Sequence, residues 1–189
     1  MRIGIDIDDT MTDSYDDIIT AYSKYCNIDK TQLIKNKTSY EELSDNSKYP
    51  DYLKFSIENF ESIIPNVKLK KHVKEVIDIL HKVGFTIEIV TARTLTEYDD
   101  PYQISYDYLK RNNIYYDKLN VGVYDKGIFC KEHNIDILID DSVNNLKKAK
   151  AYGIKTILFG NIFNEDNEEF TRANSWLEIL HMLSNNTAN

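Results

Sequence analysis

The sequence predicts an α/β fold: a doubly wound, Rossmann-like parallel sheet flanked by helices, with a small helical segment inserted after the first strand. Three observations predict it. Short β-branched runs alternate with stretches of helical period. The opening run of Ile3, Ile5 and Ile7 leads into three carboxylates, Asp6, Asp8 and Asp9. Roughly 55 residues separate that run from the helix near Leu69, where a crossover requires only about a dozen.

Taken in order, Ile3, Ile5 and Ile7 form a strand buried on both faces. Helical spacing then governs Tyr15, Ile18, Ile19, Tyr22, Tyr25 and Cys26. Residues 27–50 are polar, with Asn27, Asp29, Asn36, Asp45, Asn46 and Pro50 as breakers, and leave room for one short helix. Leu53, Ile57, Phe60 and Ile64 mark a helix that stops before Pro65. Leu69, Val73, Val76, Ile77 and Leu80 mark another, with Gly84 where a C-terminal cap belongs.

Phe85–Thr91 is the second strand, and Pro101 opens the following helix at its first position. Leu119–Tyr124 is the third strand, followed by a short helix or turn over Gly127–His133. Ile135–Ile139 and Ile154–Phe159 are the fourth and fifth strands, with a helix between them closed by Gly153. A last helix spans Ser175–Leu183, anchored by Trp176, and a polar, frayed tail runs from Ser184 to Asn189. Residues 1–13 and 69–189 are expected to form the sheet domain and 14–68 the helical insertion, standing over the first strand's carboxyl end.

The chain has 189 residues and a net charge of −8. That charge argues against a nucleic-acid polymer or an anionic membrane as partner, and it means that an anionic substrate needs local cations or a metal. The start turns acidic at Asp6, and no apolar run approaches the ~18 residues of a membrane span. A cytoplasmic protein is expected, with Cys26 and Cys130 as free thiols.

In a parallel sheet the strand ends meet at one edge, where ligands of open α/β folds bind. The first strand brings Asp6 and Asp8; their spacing of two puts both on one face of an extended chain. The second brings Thr91, then Ala92 and Arg93; past the third comes Lys126; the fourth ends at Asp140-Asp141. Carboxylates from two strands suit Mg²⁺, a hard cation that prefers oxygen. A metal and a lysine would neutralise phosphate oxygens, and a threonine hydroxyl could donate to a third. One carboxylate can attack phosphorus while a second handles protons.

The same residues match a family. Asp6-Ile-Asp8-Asp-Thr10 resembles the D-x-D-x-T motif of haloacid dehalogenase-type phosphatases. Thr91 resembles their second motif, Lys126 the third, and Ile139-Asp140-Asp141 the acidic fourth. The insertion falls where that family carries its smaller cap. Asp125-Lys126, Asn164, Arg172 and Trp176 extend the similarity to the 5′-nucleotidase branch that includes deoxyribonucleotidases. The resemblance implies an Mg²⁺-dependent phosphomonoester hydrolase acting on a small phosphorylated metabolite such as a nucleotide. It implies Asp6 as nucleophile, Asp8 as general acid and base, and Thr91 and Lys126 as phosphate ligands. It also implies a metal on the Asp6 side chain, the Asp8 backbone carbonyl and the Asp141 side chain. Lys131, nine residues before Asp140, competes with Lys126 for the lysine role.

Two other functions fit the same residue types. A signalling receiver also uses an acidic pair, an acceptor aspartate, a threonine and a lysine, but its lysine comes last. A catalytically silent phosphate-binding module would lack a motif residue, and none is missing here. Several residues have plainer readings. Asp9 reads as a helix-start residue and Asp140 as the partner that orients the lysine. Arg93 pairs with a substrate or with a neighbouring carboxylate. Asn164 and Arg172 read as loop structure, Tyr22, Tyr25, Tyr49 and Tyr52 as packing, and the four histidines as surface or boundary residues.

Overall fold

The computed structural model describes residues 1–45, 48, 49 and 51–186. Six strands form one parallel sheet: β1 (Arg2–Ile5), β2 (Thr86–Val90), β3 (Lys118–Asn120), β4 (Ile137–Asp140), β5 (Lys155–Phe159) and β6 (Arg172–Ala173). Their spatial order is β3-β2-β1-β4-β5-β6. The order reverses between β1 and β4, so the crevice of the sheet opens at the carboxyl ends of those two strands. Asp6 N donates to Ile139 O at 3.0 Å and extends the β1–β4 ladder by one residue. That bond carries Asp6 to the crevice beside Asp140 and Asp141.

Both faces of the sheet are covered, which is why its strands read as continuous apolar runs. Ile3, Ile5, Ile87, Ile89, Ile137 and Ile139 pack under α5 (Val73–Lys82) and α9 (Trp176–Asn186). Leu138 and Leu158 face the other way, onto α7 (Lys126–Glu132) and α8 (Val143–Ala151). Each such side chain contributes roughly 1.5–3 kcal/mol on burial. α6 (Pro101–Arg111) lies near the β3 edge. Gly84, at φ +95°, lets the chain reverse after α5, and Phe85 N then bonds Leu80 O at 3.0 Å.

Between β1 and α5 lie α1 (Ser14–Cys26), α2 (Lys30–Lys35), α3 (Tyr40–Leu43), α4 (Tyr52–Ile63) and a 3₁₀ turn at Ile64–Asn66. Ile18, Tyr22, Leu43, Phe55 and Ile64 bury a second apolar cluster there, joined by Tyr98 and Tyr108. The chain enters and leaves this region side by side. Thr12 pairs antiparallel with Leu69, Asp13 N bonds Lys68 O at 2.9 Å and Lys70 N bonds Met11 O at 2.8 Å.

The structure departs from the sequence expectations in identifiable places. β3 ends at Asn120, not Tyr124, because Gly122 turns at φ +73°. A sixth strand, β6, is only two residues long and has no apolar run to announce it. α9 continues to Asn186, through three residues assigned to the tail; the rest of that tail, 187–189, lies outside the described residues. Two short helices occupy the polar segment, where one was expected. Of its breakers, Asn46 and Pro50 lie outside the described residues. Tyr25 is 39% exposed, its hydroxyl on Glu58 at 2.9 Å, so it is a surface residue leaning on Phe55. Among the described residues no helix is long and apolar enough to cross a membrane.

Candidate active site

Asp6 leaves the end of β1 and is 7% exposed. The chain then tightens: Met11 N and Thr12 N both bond Ile7 O, at 2.8 and 3.1 Å, and Asp9 takes a left-handed φ of +56°. An aspartate tolerates that conformation better than most residues. The turn aims both Asp6 and Asp8 into one cleft of about 600 Å³, also lined by Thr91, Lys126, Asp140 and Asp141. Asp9 instead faces back, accepting from Tyr15 N at 2.9 Å and Tyr40 Oη at 2.7 Å. It is not the residue that starts α1, whose N-cap position is Asp13, but from the preceding loop it satisfies an N–H of the first turn of α1 and ties that loop to α3.

Asp125 begins α7 by accepting from Ile128 N at 2.9 Å, so Lys126 is the first helical residue. The Lys126 side chain is fully buried in the cleft. Its Nζ donates to Asp6 Oδ1 at 2.5 Å and Asp140 Oδ2 at 2.6 Å. Lys131, in the last turn of α7, lies over the Tyr152 ring outside the cleft. The cleft therefore contains Lys126 and not its competitor.

The β4 end supplies the remaining acids. Asp140 is wholly buried and also accepts from Ser142 N at 2.8 Å and Asn145 Nδ2 at 3.2 Å. Asp141 accepts from Thr10 Oγ1 at 3.3 Å and Asn161 Nδ2 at 3.0 Å. Asn164 Nδ2 holds the Asp141 carbonyl at 2.9 Å, and Arg172 bonds Asn164 in turn. Asn164 is thus cleft wall as well as loop structure. Asn161 and Asn145 gave no signal in the sequence, being ordinary loop and helix asparagines.

Thr91 is buried at the end of β2, its hydroxyl accepting from Arg93 N at 3.3 Å. Arg93, which had two readings, takes the carboxylate one. Its guanidinium grips Asp8 through Nε–Oδ2 at 2.9 Å and Nη2–Oδ1 at 2.8 Å, a charge-assisted fork. Its third nitrogen reaches Ser105 Oγ at 3.3 Å.

Oxygens of Asp6, Asp140 and Asp141 all lie within 4.8 Å of one another, against the single ammonium of Lys126. The electrostatics register that excess. Burial pushes the Asp6 carboxyl up to about 7, with Lys126 opposing and Asp140 and Asp8 adding to the rise. Burial, then Asp140, Asp9 and Asp6, holds Asp141 well above the carboxylate range. Lys126 is raised, the facing carboxylates outweighing its burial. An all-oxygen donor set with uncompensated negative charge fits a hard divalent cation. The arrangement can hold such an ion, neutralise an anion beside it and present one carboxylate to an electrophile.

The cleft is also lined by residues the sequence did not single out for the site: Tyr40, Phe60, Glu97, Tyr98 and Phe163. One signal was legible. Ser39 and Glu42 have capping-box spacing and make that box at the start of α3, which places Tyr40.

Residues 1–188 match the family described as 5′ nucleotidase, deoxy (pyrimidine), cytosolic type C protein. No curated protein matches the chain in sequence. Among solved structures, a predicted phosphatase from Clostridium acetobutylicum is similar at TM-score 0.72 and 17% identity, with 97% of this chain and 98% of that one covered. CbbY from Rhodobacter sphaeroides in complex with phosphate aligns at TM-score 0.65 and 16% identity, covering 94% and 95%. A haloacid dehalogenase-like hydrolase from Streptococcus pneumoniae aligns at 0.64 and 15%, covering 96% and 97%.

Proposed function

The chain belongs to the deoxy (pyrimidine) cytosolic type C 5′ nucleotidase family, a haloacid dehalogenase-type phosphatase family, and from that premise we propose that it hydrolyses a phosphomonoester, a nucleotide among them, with Mg²⁺ and through a phospho-Asp6 intermediate. The observation that carries this reading is the trio Asp6, Asp140 and Asp141 bridged on one side by Lys126. CbbY, of the same fold, binds phosphate, which supports a phosphorylated ligand.

Asp6 attacks phosphorus, the P–O bond to the alcohol breaks and an acyl phosphate forms on Asp6. Asp8 gives its proton to the departing alcohol, then takes one from the water that attacks phospho-Asp6, which releases phosphate and restores both carboxyls. The Arg93 fork uses one lone-pair site on each Asp8 oxygen, so it can hold Asp8 in place while a second site carries the proton. Lys126 orients Asp6 and offers its charge to the phosphate oxygens, and the Thr91 hydroxyl donates to another. The side chains of Asp6 and Asp141 and the Asp8 carbonyl would hold Mg²⁺, which supplies charge neutralisation at phosphorus. Residues 14–68 act as a cap over the cleft, a reading supported by their separate apolar cluster.

The test is phosphate release from a broad panel of nucleotides, sugar phosphates and other phosphomonoesters with and without Mg²⁺, for the wild type and Asp6→Asn. Release that requires both Mg²⁺ and Asp6 is expected. A wild type that releases none from any member ends the reading.

A further inference from the structure

The cleft has a side chamber that the reaction chemistry does not use. It encloses about 330 Å³ and shares Asp8, Tyr40, Phe60, Glu97 and Tyr98 with the cleft. Asp8 stands at the junction. If Asp8 protonates the departing alcohol, as in the function proposed above, on which this inference rests, the rest of that alcohol lies in the chamber.

The walls describe what fits. Ile18, Tyr52, Leu53 and Ile64 join the shared aromatics in a largely apolar wall, chemistry that suits an aromatic ring. Among the described residues no lysine or arginine lines the chamber. The nearby cations are committed elsewhere: Arg93 to Asp8 and Lys126 to Asp6 and Asp140. The one acid besides Asp8 is Glu97. Its Oε2 accepts from Thr94 Oγ1 at 2.6 Å, and its Oε1 has no hydrogen-bond partner among the described residues. Glu97 lines the chamber together with the rings of Tyr40, Tyr52, Phe60 and Tyr98.

We propose that Glu97 is a specificity-determining residue: its free oxygen selects a leaving group that is planar, uncharged or cationic, and bears a hydrogen-bond donor such as a ring amino group. A carbonyl in that position meets the carboxylate lone pairs, and a second phosphate or a carboxylate meets its charge.

Two measurements test this. The first is equilibrium binding of cytidine and uridine, without phosphate or metal, by calorimetry. The two differ by an amino group against a carbonyl. The wild type is expected to bind cytidine at least about tenfold tighter, as a charge-assisted bond implies, and Glu97→Gln to reduce the ratio to about twofold or less. The second is the kcat/KM ratio for the corresponding 5′-monophosphates with Mg²⁺, which moves the same way, with a nucleoside 3′,5′-bisphosphate the poorest substrate. A wild type that prefers uridine or neither nucleoside overturns the assignment, as does an unchanged ratio in Glu97→Gln. Absence of turnover on every monophosphate would instead sink the hydrolase reading, and nucleoside binding would still decide the role of Glu97.

Discussion

Lys126 Nζ lies 2.5 Å from Asp6 Oδ1, although the two residues are 120 positions apart in the chain. The ammonium neutralises the first carboxylate of the opening motif and leaves the Asp141 side uncompensated. Lys126→Met keeps the buried stem and deletes the charge. Removing one partner of a buried ion pair costs about 3 kcal/mol or more. We expect a clear drop in melting temperature by calorimetry and a fall in phosphate release of about 10²-fold or more. A variant melting with the wild type would show that the bridge carries no stability.

Asp141→Asn should do the reverse to the metal-free protein. At a pH high enough to ionise this group, the carboxylate lies buried beside like charges, so neutralising it removes repulsion and raises the melting temperature. About 1 kcal/mol corresponds to about 2–4 °C at this size. The rise in melting temperature that Mg²⁺ gives the wild type should vanish in the variant. Equal Mg²⁺ shifts in both proteins would remove Asp141 from the proposed metal site.

Arg93 positions Asp8 through a two-pronged contact that lysine cannot copy. Arg93→Lys should lower kcat about tenfold or more with a smaller change in KM, and should shift the pH profile of kcat, because the proton carrier loses its orientation. A change confined to KM would instead make Arg93 a substrate contact.

Cys130 is buried under α8, and burial pushes its thiol up to about 12 from 9.0. The folded state therefore holds this proton more tightly than the unfolded state. That contribution to stability is complete below pH 9 and is lost as pH rises towards 12. Denaturant titrations over this range should show a shallower decline for Cys130→Ala than for the wild type. At pH 8 an alkylating reagent should label Cys26 alone until the chain unfolds.

Much of the site could be read before the fold was known, because its chemistry is written in short local patterns. Asp6 and Asp8 stand at the end of a β-branched run, and Asp140-Asp141 at the end of another. The choice between Lys126 and Lys131 could not be made from spacing. It depends on where α7 begins, which the Asp125 cap decides. The chamber was illegible for a different reason. Tyr40, Phe60, Glu97 and Tyr98 come from three separate stretches and share no period, so only the tertiary fold assembles them. β6 stayed hidden because two residues, Arg172 and Ala173, cannot display alternation.

The chain's single tryptophan, Trp176, is almost wholly shielded, packs on Phe159 and donates its indole Nε1 to the Thr10 carbonyl at 3.1 Å. Thr10 closes the opening acidic motif. The protein thus carries its own optical probe: excited beyond the tyrosine absorption, its one indole, tethered to the loop bearing Asp6 and Asp8, reports a rearrangement there without an attached dye.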